Sequence, residues 1–406
     1  MKQENGGVTF AEGFLAAGVE ANIKYKDRKD MALVWSEFPA QVAGTFTTNV
    51  VKAAPVVYDQ EIVQKGDPVR GVVLNSGIAN ACTGEEGRKS NRFMAEAVAK
   101  EMGVQPLEIL TASTGVIGVP LVTPPIEKGA GLLKKCLDKG LEAGLAAAKA
   151  IMTTDTVPKE AAASLDVRGT TIKIGGMSKG SGMIHPNMAT MLSVITTDAD
   201  ISHSDLQEVL KDAVKDSFNM ISVDRDTSTN DTCLLLANGA AGISLGKKDP
   251  EWKEFVQALR YVTVALAKQM AADGEGANKL LEVTVDHMPR VEQARILAKS
   301  VITSNLVKTA VYGSDANWGR ILCALGYAGV EFDPELVNLD LIGTDQRIRL
   351  VSKGMATDYS EEEATKVLSE PVVKVYCDMA SGDESATAWG CDLTYEYVKI
   401  NGDYRS

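Results

Sequence analysis

The sequence has no Cys-x-x-Cys pair, only three histidines, few aromatic residues and no long apolar run. Each absence removes a class of function. The six cysteines (Cys82, Cys136, Cys233, Cys323, Cys377 and Cys391) are widely spaced. Most sit in apolar runs such as NDTCLLLANG and RILCALGYAG. That usage suits small buried hydrophobes in a reducing compartment, not a disulfide framework or a zinc site. His185, His203 and His287 lack metal-ligand spacing, so no metal is expected. Aromatics make up 5% of the residues, which argues against a base-stacking platform. The formal charge of −12 repels a polyanion, so nucleic acid is not an expected partner. No run approaches the roughly 18–20 apolar residues that span a bilayer. MKQENGGVTF lacks the apolar core of a signal peptide. A cytoplasmic protein without membrane contact is expected.

What is present is an ordinary globular balance, 45% hydrophobic and 24% charged, with 36 glycines in 406 residues. The length allows two domains or one interwoven unit. Strand-like and helix-like segments alternate. PVRGVVLNSG and TTIKIGGM predict strands that end in turns, and MLSVITTD predicts a buried β-branched strand. Pro125 to Met152 predicts one helix despite its glycines. SHSDLQEVLKDAVKDSF predicts a helix opened by a Ser204–Gln207 capping box, with Leu206, Val209, Leu210 and Val214 on its apolar face. DPEWKEFVQALRYVTVALAKQMAAD and PRVEQARILAKSVI predict two more helices. PVVKVYCDM and ATAWGCDLTYEYVKIN predict two closing strands. The fold class is therefore α/β, an α+β layering of sheets and helices.

The stretch KGSGMIHPNMATML, Lys179 to Leu192, carries the chemistry. As a phosphate loop it fails: Gly175 and Gly180 have the spacing, but Ser181 stands where lysine is needed. As a Thr–His pair, His185 lies five residues before Thr190, yet no nearby carboxylate is evident to orient it. A turn with the imidazole bonded to backbone is the simpler reading. A third option needs no histidine. If the Ala189–Thr190 bond is cut, Thr190 gains an α-amine of pKa roughly 7.7–8.0, placed to take the proton of its own hydroxyl. One residue then supplies nucleophile and base. The plain alternative is that Thr190 merely opens a strand.

Seven ordered blocks decide between them. GGMSKGSGMIHPNMATMLSVITTDA, LNSGIANACTG, STGVIGVPL, IMTTDTVPK, SFNMISVDRDTSTND, DGEGANK and SDANWGRILCALG together resemble the ornithine acetyltransferase family, the ArgJ-type glutamate N-acetyltransferases of arginine biosynthesis. The resemblance spans nearly the whole chain. It implies a self-processing fold with an N-terminal threonine nucleophile, cut at Ala189–Thr190 into interwoven chains of residues 1–189 and 190–406. It implies acetyl transfer from N2-acetylornithine to glutamate through acetyl-Thr190, with acetyl-CoA left open as a second donor and no cofactor. It places the oxyanion donors at Thr114 and Gly115. It places substrate contacts at Thr153, Lys179, Thr190, Glu275, Asn401 and Ser406, with Thr154 one step from Thr153. It also implies assembly of two alpha and two beta chains. Met220, Ser222 and Arg225 depart from the family pattern, at none of these positions. Two other classes remain: an amidohydrolase or aminopeptidase in which water takes the acyl group, and a non-enzymatic amino-acid-binding protein with no cut.

Overall fold

The computed structural model describes residues 1–185 and 191–403. Its centre is a nine-stranded sheet in which the strands run in the order Lys2–Glu4, Lys159–Val167, Thr170–Lys179, Leu192–Thr197, Thr232–Ala237, Met31–Phe46, Val69–Asn75 and Ile109–Ser113, with Phe14–Val19 added beside Met31–Phe46. A second, seven-stranded sheet is built from residues beyond 220.

Alternation along the central strands explains the layers. Ile172, Ile174, Ile195 and Leu235 enter one apolar core, whereas Met177, Val194, Leu234 and Leu236 enter another on the opposite face. The first core also takes up the buried faces of the helices His203–Lys215 and Trp252–Ala272 and the strand Leu280–Met288 of the second sheet. The helices thus lie between two sheets. The other core is closed by Ala147, Ala148 and Ile151, from the helix Leu141–Ala150 and the residue after it.

The strand Met31–Phe46 joins two halves of the large sheet. Its last six residues pair with Thr232–Ala237. Its first part pairs with Phe14–Val19 and Val69–Asn75, and the ladder to the latter is irregular between Trp35 and Ala40. Asn230 then ties the halves together, donating from Nδ2 to Ala79 O at 2.6 Å and Ser113 O at 2.8 Å.

Three local expectations are corrected. The single helix from Pro125 to Met152 is two, Thr123–Cys136 and Leu141–Ala150. Asp138 between them exchanges backbone hydrogen bonds with Ala16 at 3.0 and 3.1 Å, and Gly140 takes a φ of +90°. A bridge to a strand outweighs helix continuity there. The cap of His203–Lys215 is Ser202, which accepts from Asp205 N; Gln207 instead clamps Gly44, bonding its N–H at 3.1 Å and its C=O at 3.0 Å. The last strand ends at Cys391, and Tyr395–Asp403 is a helix. Thr394 marks the exit from the sheet, donating to Gly276 O at 2.7 Å and accepting from Tyr397 N at 3.4 Å.

Candidate active site

One end of the central sheet gathers polar residues. Lys179 closes its strand opposite Leu192, Leu192 pairs with Thr232, and Ser178 pairs with Lys159. Beside these strand ends lies a cavity of about 340 Å³, the size of a small-molecule pocket. Thr114, Gly115, Thr153, Lys179, Glu275 and Asn401 all line it. These residues span nearly 290 positions of sequence. Ala189, Thr190 and Ser406 lie outside the described residues, but Met191 and Leu192 line the same cavity.

Lys179 is buried, and its Nζ donates to Thr153 Oγ1 at 2.9 Å and Thr114 Oγ1 at 3.3 Å. The hydroxyl that meets the lysine is that of Thr153, although Thr154 also lines the cavity. Desolvation holds the Lys179 ammonium below its usual range, with Asp155 opposing. Gly115 has a φ of +131°, and a Cβ there would overlap the backbone of Gly77. Only glycine lets the chain pass so closely. Glu275 accepts from Asn401 Nδ2 at 2.8 Å, so the C-terminal helix reaches the cavity. A Cβ on Gly182 would collide with the Glu275 carboxyl.

Behind Lys179 stands a cluster that sequence reasoning missed. Lys159, wholly buried, donates to Asp155 Oδ1 at 2.7 Å and Asp273 Oδ2 at 2.6 Å. Asp155 also accepts from Thr153 N at 3.0 Å and Gly180 N at 2.7 Å, and its Oδ2 lies 3.8 Å from Lys179 Nζ. Burial raises the Asp155 carboxyl, but the Lys179 and Lys159 charges and its hydrogen bonds prevail and hold it well below the usual range. The cluster fixes the residues on either side of the cavity wall. Asp231 is a second acid in the lining that was missed. Asp155 and Lys159 lie within IMTTDTVPK, and Asp231 closes the block SFNMISVDRDTSTND, so the blocks themselves were the available signal.

His185 does not have the features of a base. Burial pushes its imidazole down to about 4, with the Lys299 and Arg225 charges adding. Its ring Nδ1 meets Ser222 Oγ at 3.0 Å, a side chain and not the backbone expected. Among the described residues no three His, Cys, Asp or Glu side chains gather as a metal would require, and no helix is long and apolar enough to cross a membrane.

A lysine flanked by acids and hydroxyls suits a ligand with both carboxylate and ammonium groups. A family model described as the ArgJ family matches residues 15–406. The arginine biosynthesis bifunctional protein ArgJ of Thermotoga neapolitana is 49% identical over 397 residues, covering 97% of this chain and 99% of that one. The ArgJ protein of Symbiobacterium thermophilum is 50% identical over 404 residues, covering 99% of each. Among solved structures, an ornithine acetyltransferase of Mycobacterium tuberculosis complexed with ornithine is 43% identical, covers 45% of this chain and 96% of that chain, and superposes with a TM-score of 0.43.

Proposed function

The chain belongs to the ArgJ family, and from that premise we propose how its cavity carries out the reaction. The protein is an acetyltransferase of arginine biosynthesis. In our reading the Thr190 hydroxyl first attacks the Ala189 carbonyl, and water opens the resulting ester. The freed α-amine of Thr190 then serves as base for its own hydroxyl. That hydroxyl takes the acetyl group of N2-acetylornithine, and ornithine leaves. The α-amine of glutamate attacks acetyl-Thr190, giving N-acetylglutamate.

The observation that carries this reading is the convergence of Thr114, Gly115, Thr153, Lys179, Glu275 and Asn401 on one cavity that also holds Met191, the residue bonded to Thr190. Lys179 takes the substrate carboxylate and Glu275 a substrate ammonium. Thr114 and Gly115 donate to the oxyanion, where losing one donor costs about 10²–10³ in rate. Asn401 and Ser406 bond polar atoms of the substrate. The scheme uses no cofactor, because the nucleophile carries its base. A cytoplasmic location, a pairing of two alpha with two beta chains, and acetyl-CoA as an additional donor belong to the same proposal.

Intact mass under denaturing conditions tests it. Two fragments are expected, the second beginning Thr190-Met191-Leu192. Thr190→Ala is expected to stay whole and to transfer no acetyl. A wild-type chain that remains whole while active, or a cut in the Thr190→Ala chain, overturns the mechanism.

A further inference from the structure

A buried acid of the cavity lining takes no part in this scheme. Asp231 lines the cavity, is 2% exposed, and has an Oδ2 without a hydrogen-bond partner among the described residues. A polar atom withdrawn from water in this way is costly unless something that enters the cavity completes it. The residue is not a loose one. Thr47 N donates to Asp231 O at 2.9 Å, and Thr232 N donates to Met191 O at 2.7 Å where the strand begins. Asn230 on its other side holds Ala79 and Ser113. The charged group facing Asp231 is Lys179, whose ion pair among the described residues is with Asp155. Burial pushes the Asp231 carboxyl well above the usual carboxylate range, against the Ser228 and Thr47 hydroxyls and the Lys179 charge.

The proposed reaction moves a proton that the Thr190 amine does not account for. Ornithine leaves as an ammonium and so takes up one proton. Glutamate arrives as an ammonium and must lose one before its nitrogen can attack. We propose that Asp231 supplies the first proton and receives the second, an inference that rests on the function proposed above.

In the first half-reaction the amide C–N bond breaks and the ester C–O bond to Thr190 forms. The Thr190 hydroxyl proton passes through its own amine to the departing nitrogen. The Asp231 proton then converts that amine to an ammonium, leaving a carboxylate. In the second, this carboxylate removes a proton from the glutamate ammonium. The freed electron pair attacks the acetyl carbonyl, the ester C–O bond breaks, and the Thr190 oxygen regains its proton through the same amine. Asp231 ends protonated, as it began.

Asp231→Asn removes the movable proton at constant size. The test compares acetyl donors and acceptors. 4-Nitrophenyl acetate has a leaving group that departs without a proton, and hydroxylamine is already a neutral amine near pH 7. Transfer from N2-acetylornithine to glutamate is expected to fall by about 10²–10⁴, whereas transfer from 4-nitrophenyl acetate to hydroxylamine stays at the wild-type level. An equal fall for both pairs gives Asp231 a structural role and overturns the proposal. An unchanged natural pair overturns it as well. Wild-type protein unable to move acetyl from N2-acetylornithine to glutamate overturns the underlying function instead, and shows this before any variant is made. If Asp231→Asn fails to fold or to be cut, Asp231→Glu, which keeps a titratable proton, should show a smaller fall confined to the natural pair. A uniform fall there again overturns the assignment.

Discussion

Asp155 and Asp231 are both buried acids that act on the same lysine, and they are built in opposite ways. Asp155 is satisfied on every side, by Lys159, Thr153 N and Gly180 N, and is held ionised. Asp231 keeps one oxygen unpartnered among the described residues, and burial favours its neutral form. The difference teaches what each wall of the cavity is for. A carboxylate with all its partners inside the protein is scaffold. A carboxyl with an open position is a place for chemistry, or else a defect.

Lys159→Met breaks the comparison hardest, because it strips Asp155 and Asp273 of their shared cation. Leaving Asp273 without its cation and Asp155 with only the more distant Lys179 should cost about 3–5 kcal/mol in this dry site, read from denaturant unfolding. An unchanged midpoint would mean that the cluster is not scaffold. Gly182→Ala sharpens it at the ligand side. The new methyl displaces the Glu275 carboxyl, and KM for N2-acetylornithine should rise about tenfold as one charged hydrogen bond is lost, while the fold stays intact. Unaltered KM would take Glu275 out of substrate binding.

The smallest effect concerns a third acid. Glu160 follows Lys159 in sequence, but its Oε1 is buried without a partner among the described residues. Burial pushes its carboxyl from 4.5 to about 7, Glu142 adding and Lys149 opposing. Its folded pKa is raised, so its contribution to stability is full below pH 4.5 and is lost as pH rises through 7. Glu160→Gln should therefore raise Tm at pH 8 by roughly 1–2 °C and narrow the gap between pH 5 and pH 8. A gap of unchanged width would show that Glu160 is not the buried acid that titrates.

Legibility followed the physics of each feature. TTIKIGGM and MLSVITTD were readable as strands because β-branched runs report burial locally. Met31–Phe46 was not, since Pro39 within it reads as a break and its irregular ladder is resolved only by pairing with distant strands. The breaks at Asp138 and Cys391 came from tertiary hydrogen bonds that no local pattern encodes. Thr114, Gly115, Thr153, Lys179, Glu275 and Asn401 were legible through resemblance to a family. Composition alone could not assemble five separate segments into one cavity. Lys159 at the head of KEAAASLDV looks like a solvated strand end, and Asp231 like a turn residue. Their burial is a property of the assembled fold. His185 reads from sequence as a turn residue bonded to backbone; its ring instead meets Ser222 Oγ, and burial makes the imidazole a weaker base.

The strand Leu192–Thr197 is fully buried and bonded along both edges, to Thr170–Lys179 on one side and Thr232–Ala237 on the other. Opening the backbone just ahead of it alters connectivity without granting independence. To separate, the two polypeptides would have to unzip the sheet along two seams, Thr170–Lys179 from Leu192–Thr197 and Met31–Phe46 from Thr232–Ala237, baring Met177, Val194 and Leu234 together with raw strand edges. On the proposed cut, cooperativity therefore outlives the peptide bond: the pieces are expected to melt in one transition, with neither persisting as a stable species alone.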